Sequence, residues 1–534
     1  MASESADIDK PKVDVLTSSR IYPRTKHDEV TVPLSVVDAM VMHYGPSSAV
    51  WFFEDAGKDD IEKVIAQLKE SLQVTLSVFP HLAGHLKMVK HNPEGDHTQR
   101  YARLEITYGA TTDPGVQFDT AKCDLKLDDI IPSHKMRQDP AYRAWGSSSA
   151  YPAFFLPDMS KLPFFRNAPE GPTPAALVQV TQFACGAVAI GMMFTHPMAD
   201  AHTLAMVAHR WSYDHTVLFC DKSSTLSETV VSPPPNPLYD PQMLDRCAPG
   251  DIDGTTPDPA ILEKSRSLPS LRHDNLWPAE GDDPDRFLPP GLTRDMITSP
   301  GVKPPMQDWD FNAPVSHVKL HFTSAETERI WQAAGKGVSR HDAILAHVWR
   351  AVNRARGWSD DDRNVSLHVI FGLRKRLGLP TTFMGSPILS TTITTTGKEG
   401  SGGLALGDVA RKINNTLALY TKEALQTRIY DLCFECAPQR FWEGFLGARN
   451  MIFTSWAHLN LYAVDFGGRW GKARLVDIKM PDLDGMIWLT EGRPALEKDS
   501  AGERHWCDDG VDVSMNIGRE AAGRLKADST LWEW

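Results

Sequence analysis

The chain has 534 residues, of which 42% are hydrophobic, so it can fill a sizeable core and is neither fibrous nor disordered. This length exceeds one ordinary domain, and we expect two or three folding units or one body with two lobes. The net charge of −12 argues against nucleic acid as a bulk partner, since nucleic acid requires a basic surface.

Cysteines and apolar runs indicate the compartment. Seven cysteines are scattered through the chain, and Cys433-x-x-Cys436 is the one close pair in the sequence, so we expect buried, reduced thiols. Residues 1–26 are polar and charged, without the apolar segment of a signal peptide. No apolar run reaches the roughly 18 residues that a membrane span needs. We therefore expect a cytoplasmic protein that does not bind membranes.

The first part of the chain alternates between strand and helix patterns. An apolar and aromatic run at residues 49–53 predicts a strand. Apolar residues at three- and four-residue intervals over 61–72 predict a helix, and Pro80 and Gly84 interrupt the pattern that follows. Alternation at 104–108 predicts another strand.

The clearest pair of strands lies just before a histidine. Residues 177–183 and 187–194 predict two strands joined at Cys185-Gly186. The second strand leads into His196, and a helical pattern begins soon after it. His196 is therefore expected where a strand ends and a helix begins, a position that catalytic groups favour.

Between residues 231 and 311 the sequence is rich in Pro, Asp, Gly and Ser and has few periodic apolar residues, which predicts a crossover linker. Strands and helices alternate on both sides of it. We therefore predict an α/β protein with an N-terminal lobe at 1–230 and a C-terminal lobe at 312–534. The predicted elements of the second lobe are strands at 315–322, 365–371 and 511–517 and helices at 341–354 and 520–526.

His196 and Asp200 are the strongest candidates for chemistry. Their spacing would place them on one face of a continuous helix. A histidine can accept a proton from an alcohol or amine at neutral pH, and a carboxylate can hold its tautomer. Metal binding is the third alternative, but an H-E-x-x-H zinc helix needs a second histidine and a glutamate that are missing here. His202 and His209 are nearby competitors, and His209 is expected on the helix surface.

Other catalytic patterns are missing from the sequence. It contains no G-x-S-x-G nucleophile elbow. It also contains no Gly-rich phosphate loop of the Walker or dinucleotide type. The sequence thus offers a candidate base but no covalent nucleophile and no nucleotide cofactor site.

Two motifs resemble the signatures of the BAHD acyltransferases, which transfer acyl groups from coenzyme A (CoA) thioesters. The first is the H-x-x-x-D sequence HPMAD at 196–200, preceded by QVTQFACG at 179–186. The second signature, D-F-G-W-G in the family, is present as DFGGRWG at 465–471, with two residues inserted before the tryptophan. Ala201 stands where most members have glycine.

Further similarities extend over roughly residues 20–530. They are an early P-L-A-G-R-L-like segment at 79–86, the helix that opens the second lobe at 342–350, an R-x-R-L strand end at 374–377, and a segment typical of hydroxycinnamoyl-transferring members at 454–459. The long Pro-rich crossover resembles that of fungal members. An ordered set of motifs is far more specific than H-x-x-x-D alone.

The resemblance implies two α/β lobes similar to chloramphenicol acetyltransferase, with a solvent channel between them. It implies that His196 is the general base in the middle of this channel. Asp200 would point away from the substrate and pair with Arg374. Asp465 would be structural and remote from the reaction.

The resemblance also suggests substrate contacts. Thr454 and Trp456 would border the reacting carbonyl, and either Thr454 or the indole Nε1 of Trp456 would be one donor to the oxyanion, although packing of a strand is an equal alternative. For the phosphates of CoA, Ser339 and Arg340 are candidates because they begin a helix, whose N-terminus favours phosphate. Lys375 is a further candidate, because alternation along a strand would direct it away from the face of Arg374 and Arg376.

The implied function is transfer of an acyl group from acyl-CoA to a hydroxyl group of a small specialised metabolite, by a monomer with no bound cofactor and no metal. Transfer to an amine is one alternative. A second is an amide-forming condensation domain, whose H-H-x-x-x-D-G motif would have Thr195 and Ala201 in place of its first histidine and its glycine. A third is a catalytically silent binding scaffold of the same fold.

Overall fold

The computed structural model describes residues 11–54, 60–133, 143–145, 151–164, 171–220, 233–276, 288–289, 291–297, 299, 301–468, 470–494 and 505–533. Two mixed β-sheets with helices packed against them form two lobes. The expected α/β fold with two lobes is therefore confirmed.

The first sheet has six strands, and every neighbouring pair is antiparallel except the parallel pair β6–β8. In spatial order the strands are β1 (Val13–Ile21), β6 (Val116–Cys123), β8 (Ala176–Phe183), β9 (Val188–Phe194), β3 (Ser47–Phe53) and β16 (Leu475–Ile478). Its central strands β8, β9 and β3 are buried almost throughout, which explains their long apolar runs.

The second sheet has seven strands, with parallel pairing along β12–β15–β17 and antiparallel pairing elsewhere. In spatial order they are β13 (Ile388–Thr396), β12 (Asn364–Gly372), β15 (Asn450–Ser455), β17 (Met486–Glu491), β18 (Val511–Gly518), β11 (Val315–Phe322) and β7 (Ala144–Trp145). Two small sheets complete the strands: β2 (Val30–Pro33) with β5 (Leu104–Tyr108) and β4 (His85–Met88), and β10 (His273–Asp274) with β14 (Phe441–Trp442).

Helices lie against both sheets. In chain order they are α1 (Val36–Met40), α2 (Ile61–Leu76), α3 (Leu127–Ile130), α4 (Tyr151–Phe154), α5 (Ala201–Phe219), α6 (Gln242–Asp245), α7 (Pro259–Arg266), α8 (Ser324–Ala334), α9 (Arg340–Arg356), α10 (Arg374–Leu377), α11 (Leu406–Ala418), α12 (Lys422–Phe434) and α13 (Arg519–Ala527). Among the described residues, no helix combines the length and apolarity that crossing a bilayer requires.

The two sheets exchange strands. β16 comes from the C-terminal half of the chain but pairs with β3 in the first sheet. β7 comes from the N-terminal half but pairs with β11 in the second sheet. The predicted boundaries at residues 230 and 312 follow chain order, so neither strand was expected in the sheet that contains it.

The described parts of the crossover between residues 233 and 311 are attached to the second lobe by ion pairs. The Arg272 guanidinium lies 2.6 Å from the Glu435 carboxylate, and Arg266 lies 3.0 Å from Asp431. Apolar side chains such as Leu244 and Leu268 pack on the same lobe as well. The segment contains two short helices, α6 and α7, and the strand β10, so it is more structured than a linker.

All seven cysteines are free, as predicted. Cys123, Cys433 and Cys507 are buried, but Cys185 is exposed. The exposure follows from its place in the turn between β8 and β9, where Gly186 has a φ of +85°.

Candidate active site

The chain leaves the first sheet immediately before His196. Thr195 donates its N–H to the Ala175 carbonyl at 2.9 Å, and residues 196–198 form one 3₁₀ turn. Ala199 is extended, with φ −157°, and α5 begins only at Ala201. His196 and Asp200 are therefore not on one continuous helix, and their four-residue spacing does not place them on a shared face.

Asp200 caps α5 and pairs with Arg374. Its carboxylate accepts the N–H of Thr203 at 2.9 Å and two bonds from the Arg374 guanidinium, at 2.5 and 3.1 Å. Both side chains are buried. Burial opposes ionisation of Asp200, but the Arg374 charge outweighs it and holds the pKa of the carboxyl below its usual range. Asp200 is thus an anchoring carboxylate, directed at Arg374.

Arg374 lies on a helix, so the predicted strand end at 374–377 is wrong. β12 ends at Gly372, and the four residues of α10 follow, closed by Gly378 in the left-handed conformation at φ +74°. The helical turn, rather than strand alternation, buries Arg374 and exposes Lys375. Arg376 donates to the Leu417 and Tyr420 carbonyls at 3.0 and 3.1 Å.

The imidazole of His196 is held from one side. Its Nδ1 lies 2.8 Å from the Ser386 Oγ, and the Tyr44 ring packs edge-on at 5.6 Å between centroids. No side chain among the described residues forms a hydrogen bond to Nε2. Burial lowers the pKa of His196 to about 4, although the Asp200 charge and a hydrogen bond to the backbone of His196 oppose this. The ring is therefore neutral at pH 7 and has one nitrogen available to accept a proton.

The competing histidines have other partners. His202 Nε2 bonds the Thr381 carbonyl at 2.7 Å, and His209 Nε2 bonds the Leu459 carbonyl at 2.9 Å. His209 was expected on the helix surface, but it is half-buried because this bond joins α5 to the loop after β15. Both rings connect α5 to the C-terminal half of the chain.

Thr454 and Trp456 lie at the end of β15. Trp456 is buried, and its backbone N–H donates to the Leu489 carbonyl at 2.8 Å. It belongs to the same apolar cluster as Phe194 and Met198, which lie two positions before and two positions after His196. This cluster joins the two lobes next to the candidate base.

Sequence reasoning missed Trp488 as a possible substrate contact. It lies opposite Thr454 in the register of β15 and β17 and is buried in the same cluster as Trp456. Its indole Nε1 has no hydrogen-bond partner among the described residues. A buried, unpaired donor costs roughly 1–3 kcal/mol, so a ligand acceptor would stabilise it. The pairing of β15 with β17 brings together residues 34 positions apart, which no local pattern reveals.

The second signature, at residues 465–471, packs against the C-terminal end of α5. Asp465 accepts the N–H of Gly467 at 2.8 Å, while Phe466 packs edge-on against Trp211 at 5.3 Å. The Phe466 carbonyl bonds His215 Nδ1 at 2.8 Å, near the last turn of α5. Arg469, one of the inserted residues, lies outside the described residues. These contacts are packing contacts at the opposite end of α5 from Asp200.

Two of the three CoA candidates are engaged within the protein. Ser339 caps α9, and its Oγ lies 2.7 Å from the Asp342 carboxylate. Arg340 pairs with Glu328 at 2.6 Å. Lys375 is exposed, and no carboxylate among the described residues pairs with it. Its charge, after the larger effect of burial, helps to lower the pKa of His458.

Comparison with known proteins adds to this geometry. The sequence profile of the Transferase family matches residues 11–260 and 310–501. The acyltransferase AFT15-1 of Alternaria alternata is 27% identical over 97% of this chain and 97% of its own length.

Two solved structures have a similar fold. TRI101 of F. graminearum, in complex with coenzyme A and deoxynivalenol, has a TM-score of 0.63 at 15% identity, covering 95% of this chain and 99% of that one. Vinorine synthase has a TM-score of 0.59 at 16% identity, covering 98% of this chain and all of that one (100%). At these identities the likeness concerns the fold alone.

Proposed function

This chain belongs to the Transferase family, the BAHD acyltransferases, and we propose that it transfers an acyl group from a CoA thioester to a hydroxyl group of a small metabolite. One observation carries the proposal. His196 is held through Nδ1 by Ser386, and no side chain among the described residues bonds its Nε2, so this nitrogen is available to accept a proton.

The reaction is a direct transfer. Nε2 of His196 accepts the proton of the acceptor hydroxyl as its oxygen attacks the thioester carbonyl. The tetrahedral oxyanion collapses, the carbon–sulfur bond breaks, and CoA leaves as a thiolate that takes the proton back from His196. The products are an ester and CoA thiol, so no electrons are exchanged and no further reactant is needed.

The oxyanion needs hydrogen-bond donors in a site shielded from water. The donors we propose are Thr454 and the indole Nε1 of Trp456. Trp488 is a third candidate, because its buried Nε1 is unpaired among the described residues. Trp456 belongs to the apolar cluster that also contains Phe194 and Met198, close to His196 in the chain, which supports this assignment.

The CoA contact that we propose is Lys375. It is exposed and has no carboxylate partner among the described residues, so it can meet a phosphate without first breaking an ion pair. Arg340 must leave Glu328 before it can contribute, and Ser339 must leave Asp342. TRI101 has been solved with CoA, which supports CoA as the acyl carrier.

The acceptor decides between an ester and an amide. A serviceable experiment incubates the protein with acetyl-, malonyl- and p-coumaroyl-CoA, each paired with a set of alcohols and a set of primary amines. Release of CoA thiol identifies the active pair, and mass spectrometry of the product distinguishes an ester from an amide. Thiol release that needs no acceptor would indicate a thioesterase, and no release from any acyl-CoA would contradict the proposal.

A further inference from the structure

A short peptide segment connects the candidate base to two buried carboxylates. Gly385 accepts three bonds at its carbonyl: from the Asp200 N–H at 3.1 Å, from Thr203 Oγ1 at 2.8 Å and from Arg374 Nη2 at 3.3 Å. Its neighbour, Ser386, lies against His196. The segment therefore joins the Asp200–Arg374 pair to the imidazole of His196.

Ser386 is fixed on both sides. Its side chain is fully buried, at 0% exposure, with Oγ 2.8 Å from Nδ1 of His196. Its backbone N–H donates to Asp38 Oδ1 at 2.7 Å. Asp38 is in turn held by Ser35, which donates its Oγ to Oδ2 at 2.6 Å. Asp38 therefore contacts Ser386, and Ser386 contacts His196.

The backbone geometry at this point requires glycine. Gly385 has a φ of +103°, and a Cβ on it would lie 3.0 Å from Asp38 Oδ1. This close approach brings the Asp38 carboxylate to the Ser386 N–H. Burial raises the pKa of Asp38 to about 7, because the interior disfavours the charged form of the carboxyl.

We propose that Ser386 is a positioning residue for His196. A serine hydroxyl can donate or accept, and in this role Oγ accepts the Nδ1–H of the imidazole, which leaves the lone pair on Nε2. Asp38 orients Ser386 by bonding the Ser386 N–H and acts on the imidazole only through it. The inference rests on the proposed function, because it concerns the same base.

This role belongs to Ser386 because Asp200 is not available for it. Both oxygens of Asp200 are engaged by Arg374. Tyr44 meets the ring edge-on, as an aromatic contact. Ser386 is thus the one described residue whose side chain forms a hydrogen bond to the imidazole of His196.

The tautomer can be observed without a substrate. Nitrogen-15 spectra of histidine-labelled protein, with the His196 signals assigned by their loss in His196→Gln, should show a proton on Nδ1 and none on Nε2. In Ser386→Ala the signals should move towards a mixture of tautomers. A proton on Nε2 in the native protein, or identical signals in Ser386→Ala, would overturn the proposal.

Turnover of the acyl-CoA and acceptor pair found by thiol release provides the second arm. Ser386→Ala should lower kcat roughly tenfold to a hundredfold, with the KM of both substrates within about twofold. In a His196→Ala background the same change should have no further effect, since Ser386 acts through His196. Equal losses in both backgrounds would contradict the inference.

Two further variants make the result decisive. Ser390→Ala is the matched control, because Ser390 is also a buried serine, its Oγ has no partner among the described residues, and it does not contact His196. If Ser386→Ala does not fold, Ser386→Cys keeps the side-chain shape with a much weaker acceptor and should show the same loss. Full native activity in His196→Ala would instead refute the proposed function, whatever the Ser386 variants do.

Discussion

Replacing Asp200 separates anchoring from catalysis. In Asp200→Asn the amide oxygen can still accept the Thr203 N–H, but the buried Arg374 guanidinium loses its counter-charge. Breaking one side of a buried pair costs ~3–5 kcal/mol, because an uncompensated charge stays in the interior. Arg374 keeps its 2.7 Å bond to the Phe383 carbonyl, so we expect the lower end of that range, about 3 kcal/mol.

The assay is urea unfolding followed by fluorescence, with the free energy of unfolding taken from the midpoint. Asp200→Ala also removes the helix cap, so it should cost about 1 kcal/mol more than Asp200→Asn. Asp408→Asn is the matched control, because Asp408 pairs with Arg411 while both side chains are about half exposed, at 49% and 48%. Its cost should stay below about 0.5 kcal/mol.

Turnover is then measured on the same Asp200 and Asp408 variants. We expect Asp200→Asn to lose stability and turnover together, since the anchor of the segment next to His196 is weakened. An Asp200→Asn protein that unfolds like Asp408→Asn yet has lost its turnover would refute the anchoring role. It would indicate that Asp200 acts directly on the reaction.

Other consequences can be tested on the same protein. Lys375→Ala should raise the KM for acyl-CoA several-fold, and the increase should be larger at low salt than at high salt. Lys412 is also an exposed lysine, on α11, and Lys412→Ala should leave this KM unchanged. Equal KM values in the two variants would place the phosphates elsewhere. Thr454→Val should lower kcat roughly tenfold or more if its hydroxyl donates to the oxyanion, and a kcat within about twofold of native would remove it from that role. The free energy of unfolding should decrease as the pH falls below ~6.5, because the unfolded chain then protonates histidines that the folded protein keeps neutral. Each such histidine lowers it by up to ~1.4 kcal/mol per pH unit until the pH reaches the pKa of that histidine in the folded protein. Equal urea midpoints at pH 7.5 and pH 5.5 would contradict this. Four buried histidines carry this effect: His81 and His317, with pKa values lowered by burial to about 3, and His347 and His368, with pKa values lowered to about 4. Asp38, whose pKa burial raises to about 7, opposes it over the same interval, and the four histidines together outweigh this single group.

The sequence predicts elements whose causes are local. The strands β5 and β11 have the bounds that their apolar periodicity indicates, 104–108 and 315–322, because their alternating apolar residues lie in a core. The turn before β9 was predicted from Gly186, whose positive φ suits a hairpin. α10 was missed because four residues are too few to show a helical period.

Contacts between segments that are distant in the chain could not be predicted from the sequence. The exchange of β7 and β16 depends on contacts between distant segments, and no local pattern encodes such a contact. Arg374 as the partner of Asp200 came from the family resemblance, not from spacing. Ser386 lies 190 residues from His196 and 348 from Asp38, and only the assembled lobes bring the three together.

Replacement of His196 tests whether this histidine is the general base. The measurement is a single turnover with enzyme in excess over the acyl-CoA, comparing His196→Ala with His202→Ala, because the His202 ring bonds the Thr381 backbone carbonyl. We expect His196→Ala to slow acyl transfer by roughly two to four powers of ten while its urea midpoint and acyl-CoA affinity stay near native, and His202→Ala to remain within a few-fold. Acyl transfer in His196→Ala within a few-fold of the native rate would contradict the account.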